Sequence, residues 1–439
     1  MPADFLYALA PEHLVLAGVL LVMLLEMARV DPRWGRATFV AALLAALAAA
    51  VHQASAGFRA EVVPGEIVVD RLTHAGRIVL LLCGLGLAAG FRDPRSFKFW
   101  LLSGSSLLGG MLIVGSAGFA SLFIGIELLS LPAFALMVLG AGGTTAAEGA
   151  FKYLVLSSVA SALLLFGVSL AYGATGTLAI DDWARLLSEG NGWARAAGLL
   201  VLSALFLKAA VFPFHAWAPD AYAAARLPVT ALLASGVKAA VALALVRVVS
   251  TAALDAPLLA VVALLALASI GFGNLAALAQ KRFRRLLAYS SVAHAGYMIF
   301  VLLDTTGHRV DDLVMYAAIY ALATLLACAS FAILSPEGDD DLAALEGRFA
   351  DRPVAAVLLA VAMLSLAGVP PFPGFFAKLA VFKSVVASGH LALAVGAFAG
   401  SFLGLAYYVG IVMRLFRTRA EVPAAPALDG RDETPRATA

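Results

Sequence analysis

The chain has 439 residues, 62% of them hydrophobic and only 13% charged, with a mean hydropathy of +0.96. That balance lies far outside the composition of soluble domains and defines a polytopic membrane protein of the all-α class. A formal net charge of +2, spread along the chain, excludes nucleic acid as a partner and leaves the lipid bilayer as the medium.

The N-terminus carries Asp4 and Glu12 where a secretory signal would have lysine or arginine, and no small-residue cleavage site follows, so the first apolar run is read as a retained helix. A span needs roughly 17 to 25 mostly apolar residues. Runs of that kind fall at 12–29, 37–53, 72–91, 98–115, 118–140, 149–173, 195–217, 227–250, 256–279, 285–303, 312–335, 354–388 and 391–416, which predicts about thirteen transmembrane helices. The seventh is interrupted at Pro213. The twelfth is longer than one span requires and is interrupted by Gly368, Pro370, Pro371, Pro373 and Gly374, so it reads as one broken helix or two half-helices.

Lysine and arginine concentrate in cytoplasmic loops. Arg29, Arg33 and Arg36 follow the first span, Arg92, Arg95 and Lys98 the third, Arg226 the seventh, Lys281 to Arg285 the ninth, and Arg417 and Arg419 the last. All alternate onto one side, whereas the loops near 54–71, 174–194 and 304–311 carry few basic residues and several acids. This places the N-terminus outside and the C-terminus inside. The acidic loop 335–353 reads as solvated, and the proline- and charge-mixed tail 419–439 as disordered.

Charged groups inside spans mark ion paths or structural pairs. Of seven lysines, Lys208, Lys238 and Lys378 lie well inside spans, and Glu127 in FIGIELLSLP is read as the one deep carboxylate. Burial disfavours a lysine's charged form, which brings loss and gain of its proton within reach of small local changes. A Glu–Lys pair that tightens and loosens is a proton switch; a static pair that allows both to be buried is the other reading. His294 and Tyr297, in YSSVAHAGY with Ser290 and Ser291, are either interhelical hydrogen bonders or a relay. Lys152 and Lys383 lie nearer span ends and can snorkel. His215 and Asp220 either close an ion inlet or anchor the interface, and Cys83 and Cys328 read as small buried thiols.

The seventh and twelfth spans are both broken beside a lysine, in opposite chain order, with Lys208 five residues before Pro213 and Lys378 five after Pro373. They are an odd number of spans apart, which suggests two inverted five-helix repeats around a midplane path. The expected organisation is 1–97 as an N-terminal three-helix region, 98–250 and 256–418 as the repeats, and 419–439 as the tail. No phosphate loop, dinucleotide fingerprint, cysteine ligand set or haem histidine pair occurs, so the chain itself is expected to bind no cofactor or metal.

From about Val69 to Arg417 the chain resembles the antiporter-like N-type subunits of bacterial NADH:quinone oxidoreductase, respiratory complex I. The resemblance rests on ELLSLP at 127–132, EGAFKY at 148–153, YGATG at 172–176, PFHAWAPD at 213–220 and RLLAYSSVAHAGY at 285–297. The PFHxWxPD block is shared with L- and M-type subunits and with multisubunit cation/proton antiporters. Lysine at 238 and 378 with AHAGY resembles the N-type, since an M-type subunit is expected to carry glutamate at the twelfth-span position. The resemblance implies Glu127 and Lys208 as the modulating ion pair, Lys238 as the central relay and Lys378 as the terminal proton site. It also implies M-type and K-type neighbours, a bacterial cytoplasmic membrane, and NADH, flavin, iron-sulfur clusters and quinone held elsewhere in the assembly. Three features depart from the family pattern: a polar tail where a fourteenth helix is usual, AAARLPVTA after Tyr222, and the proline-rich Pro371-Phe-Pro373. A cation/proton antiporter or membrane-bound hydrogenase subunit, and a structural subunit without transport, are the alternatives.

Overall fold

A chain in hydrocarbon must satisfy its backbone polar groups internally, and the apolar runs do so as helices. The computed structural model describes residues 3–91, 97–139, 144–250, 252, 254–335 and 338–417. Arg92, Arg95, Arg419 and the tail 419–439 lie outside the described residues.

A short α1 (Ala3–Ala8) leads into α2 (Ala10–Met27) and α3 (Arg33–Ser55), followed by a hairpin of β1 (Ala60–Val63) and β2 (Ile67–Val69). Next come α4 (Arg71–Gly90), α5 (Phe97–Gly115), α6 (Phe119–Leu139), the 32-residue α7 (Thr144–Thr175) and the amphipathic α8 (Ile180–Ser188). The seventh predicted span is split into α9 (Gly192–Lys208) and α10 (Trp217–Ala224). The eighth runs as α11 (Leu227–Leu232), a π-helical turn (Leu233–Val237) and α12 (Lys238–Val249). Then follow α13 (Ala256–Leu278), α14 (Phe283–Phe300), α15 (Arg309–Leu334) and the short α16 (Arg348–Asp351). The twelfth span is split into α17 (Pro353–Ala367) and α18 (Pro373–Ala387), and α19 (Leu391–Phe416) closes the bundle.

Eleven of the described helices are long and apolar enough to cross a membrane. The broken seventh and twelfth spans are the two predicted segments outside that set, because neither half of either reaches full length. The α11–α12 span is buried along its whole window, whereas α2 and α3 keep most of theirs on the outside. The line of buried lysines therefore runs through the centre of the chain, with the N-terminal helices on its flank.

Two helix pairs pack backbone to backbone. A Cβ at Gly109 of α5 would meet Leu129 N at 2.3 Å, and one at Gly273 of α13 would meet Ala293 N at 2.5 Å. Each pair repeats this on its second helix, at Gly125 of α6 and Gly296 of α14. Small residues let helices approach where lipid supplies no hydrophobic drive between them.

The loops sort to two ends. At one, Phe119 N donates to Leu178 O, Ile180 N to Ala117 O, and Arg71 pairs with Asp311 at 3.2 Å. At the other, the acidic loop after α15 is only partly solvated. Asp340 pairs with Arg284 at 3.0 Å with only 11% of its side chain exposed, Leu342 N donates to Lys281 O, and Leu342 and Leu345 are buried. Asp340 clamps the basic loop before α14, while Asp339 and Asp341 stay exposed.

Candidate functional site

Helix α9 stops at Lys208 because the chain ahead cannot continue it: Pro213 lacks an N–H, and Ala210 turns into the left-handed region at φ 54°. The polar backbone freed in the break is satisfied by side chains. The Trp217 indole donates to Leu207 O at 2.8 Å, and Phe212 N donates to Ser269 Oγ at 2.9 Å. The buried Lys208 ammonium thus sits at the carboxyl end of a half-helix, the negative end of its dipole.

From there Lys208 donates to Ser157 Oγ at 2.6 Å and to Ser130 Oγ at 3.1 Å, and lies 3.8 Å from Glu127 Oε1. Ser161 donates to the Glu127 carboxylate. Ser157 and Ser161 stand one turn apart on α7, so they present one face to both members of the pair. A cavity of about 10 Å³ beside Lys208 is lined by Ser130, Tyr153, Ser157, Val237 and Val241, a volume near that needed for one water. Glu127 itself keeps 26% of its side chain exposed, in an open apolar groove of about 540 Å³ on the flank of α6.

Lys238 is buried in the first turn after the π-helical segment and donates to Ser291 Oγ at 3.3 Å. Val237 and Val241, on either side of it in the chain, line the Lys208 cavity, and no hydrogen bond joins Lys208 to Lys238 among the described residues. Beyond Ser291 the polar groups continue. Ser290 Oγ and Tyr408 Oη are 2.5 Å apart, His294 Nε2 lies 3.1 Å from Tyr408 Oη, and His294 Nδ1 lies 2.9 Å from Tyr316 Oη. A neutral imidazole donates from one nitrogen and accepts at the other, so His294 can link the two phenols in series. A second cavity of about 10 Å³ joins His294 and Tyr316 to Lys378.

At the second break α17 ends at Ala367, Gly368 takes φ 81°, and α18 starts at Pro373. The buried Lys378 reaches back to the end of α17. Its ammonium donates to Ala367 O at 2.9 Å and to Ser401 Oγ at 2.8 Å, and lies 4.9 Å from the centre of the Tyr297 ring. That last geometry is a cation–π contact. Tyr297 Oη donates to Ala397 O at 3.4 Å and has no bond to His294.

The structure therefore brings Glu127 to Lys208, and His294 to the space between Lys238 and Lys378, and it places Tyr297 as the aromatic floor under Lys378. Glu127 stands in the middle of α6, but it is not the most buried carboxylate. Asp312 in α15 is more buried and accepts from Ser384 Oγ at 2.5 Å, and Glu12 pairs with the fully enclosed Arg77 at 2.7 Å. Both stand in the first turn of their helices, and their burial depends on which helix packs beside them. Lys152, near the start of α7 and half-exposed, pairs with Glu148 at 2.8 Å and Asp220 at 2.7 Å. His215 lies against Phe212 and Phe272 and is not joined to Asp220, which pairs with Lys152 and Arg285 instead. Cys83 and Cys328 are buried free thiols. Among the described residues no cluster of His, Cys, Asp and Glu could hold a metal.

Several site residues escaped the sequence reading: Ser130, Ser157, Ser161, Tyr316, Ser401 and Tyr408. Ser130, three residues after Glu127, and the four-residue spacing of Ser157 and Ser161 were available as signals. For Tyr316, Ser401 and Tyr408 nothing local distinguishes them from other polar residues in spans.

A bundle of apolar helices enclosing a line of lysines, serines, tyrosines and a histidine, with two helices broken beside lysines, defines an antiporter-like polytopic membrane protein. Residues 116–404 match the family described as NADH:quinone oxidoreductase/Mrp antiporter, transmembrane, and the chain belongs to it. It is 52% identical over 428 residues to NADH-quinone oxidoreductase subunit N of Pelobacter propionicus, covering 97% of this chain and 92% of the relative. The fold is similar to a chain of respiratory complex I from Thermus thermophilus with bound aureothin, with a TM-score of 0.81, 32% identity, and coverage of 93% of this chain and 90% of that one. It is also similar to a chain of the Mrp complex from a Dietzia species, with a TM-score of 0.85, 26% identity, and coverage of 95% and 81%.

Proposed function

We propose that this chain is the N-type antiporter-like subunit of a bacterial NADH:quinone oxidoreductase and carries protons along Glu127, Lys208, Lys238, His294 and Lys378. The observation that carries this reading is the Lys208 site, an ammonium held by two serines and within 3.8 Å of a carboxylate, in the middle of a broken helix. With Glu127 close, the charged lysine is favoured. Drawing the carboxylate away leaves the ammonium with only neutral partners and releases its proton toward Lys238. Water crosses the apolar Val237–Val241 step, because no side chain bridges it. His294 and its two tyrosines then connect to Lys378.

Redox chemistry belongs to other subunits: NADH, flavin, iron-sulfur clusters and quinone are held there, and this chain contributes as part of a translocase. Glu127 faces outward in an apolar groove, which supports a neighbouring membrane subunit, M-type or K-type, covering it. Counting each broken pair as one crossing gives thirteen. The matching glycine-packed pairs α5–α6 and α13–α14 support inverted repeats at 98–250 and 256–418. The N-terminus lies outside and the C-terminus in the cytoplasm. Basic residues crowd the end that holds Arg226, Lys281, Arg282, Arg284, Arg285 and Arg352, which supports that orientation.

The test is Lys208→Met in the assembled complex reconstituted in vesicles. Proton translocation per quinone reduced should fall while assembly is retained; an unchanged ratio would remove Lys208 from the path. The likeness to the Mrp complex supports a second reading, a subunit of a cation/proton antiporter. Copurifying redox subunits with NADH-dependent activity favour the first, and ion exchange by a flavin-free assembly the second.

A further inference from the structure

Where α4 and α15 end and α11 and α17 begin, the helices draw apart around a cavity of about 740 Å³. Among the described residues Arg226, Arg284 and Arg352 line it against a single carboxylate, Asp340, and Phe91 and Phe331 form part of its apolar wall. Arg284 is already engaged, donating to Ala225 O at 2.6 Å and pairing with Asp340 at 3.0 Å. The guanidinium groups of Arg226 and Arg352 are exposed and have no partner among the described residues. At the other end of the bundle Arg247 is held bidentately by Asp70, at 2.6 and 2.9 Å.

We propose that this cavity binds the headgroup of an anionic phospholipid. Two free guanidinium forks match the oxygens of a phosphodiester, which accepts bidentate bonds as a carboxylate does. Basic clefts between helices at the membrane surface suit such headgroups, and the apolar wall where Ala89 of α4 and Ile333 of α15 are exposed suits an acyl chain. A free phosphate would satisfy the arginines and leave that wall in water. A zwitterionic lipid brings its own cation beside them. The bound lipid would tie the α4–α15 side of the bundle to the first turn of the Lys238 span.

The experiment uses the assembled complex in vesicles containing a phosphatidylglycerol analogue with a photoreactive acyl chain, and maps labelled peptides by mass spectrometry. Labelling should fall within the ends of α4, α11 and α15. It should be displaced by phosphatidylglycerol and resist both phosphatidylcholine and inorganic phosphate. The pair Arg226→Gln and Arg352→Gln should lower it roughly thirtyfold, about fivefold for each arginine. Lysine at both positions should restore most of it. Because both side chains are exposed and unpartnered, these variants should assemble normally, which an intact-complex gel checks. Equal labelling by a phosphatidylcholine probe, or labelling unchanged in the double glutamine variant, would overturn the proposal. Displacement by inorganic phosphate as effective as by phosphatidylglycerol would assign the site to a free anion and overturn the lipid.

Discussion

At the first break the lysine is the last residue of a half-helix; at the second it stands five residues beyond Pro373 and reaches back to the carbonyl that ends the half-helix before it. Opposite chain orders thus deliver both ammonium groups to the same electrostatic place, the negative end of a half-helix dipole. The surroundings differ. Lys208 has two serines and a carboxylate that is itself open to the flank of the chain, whereas Lys378 has a carbonyl, one serine and an aromatic face, all neutral. The first site sets a charge beside its lysine. The second encloses its lysine with neutral groups alone.

The largest effect is expected at the second break, where α18 lies directly on α17. A Cβ at Gly374 would stand 1.8 Å from Ser365 O, so Gly374→Ala should cost more than about 4 kcal/mol and abolish accumulation of folded chain, read as complex yield. Normal yield would show that the second site tolerates displacement. Next is Glu127→Gln, which removes only the charge that distinguishes the first site. Proton translocation should drop about fivefold, equivalent to about 1 kcal/mol, and less than in Lys208→Met. Equal and complete loss in both would make the carboxylate a carrier in its own right.

A smaller contrast comes from the serines. Ser401→Ala leaves Lys378 with one hydrogen-bond acceptor and should cost about 2 kcal/mol, while Ser157→Ala leaves Ser130 and Glu127 and should cost about half as much. Thermal midpoints of the two purified variants decide it, and equal shifts would erase the distinction. The smallest effect lies in the backbone. Ala210 holds φ 54° without being glycine, so Ala210→Gly should stabilise by about 0.5 kcal/mol, a gain the second break has already taken at Gly368.

Much of this was legible in the sequence. Apolar runs long enough to span hydrocarbon leave the backbone no choice but helix, so the all-α bundle and its punctuation followed from composition and spacing. The prolines marked both breaks, and lysines at 208, 238 and 378 stood out because charge is costly there. What the sequence did not contain was the identity of neighbours. Whether Asp312 is more enclosed than Glu127, whether Lys152 meets Asp220, and whether Ser401 or another serine reaches Lys378 depend on helices far apart in the chain. A small hydroxyl or a phenol carries no periodic signal of its own, so Tyr316 and Tyr408 became site residues only when packing set them against His294. Composition and spacing determined a membrane bundle with buried lysines beside broken helices, because those follow from the cost of leaving a polar group in lipid. Only tertiary packing decided which carboxylate, serine and tyrosine answers each lysine, because that is settled by contact between side chains and not by their order along the chain.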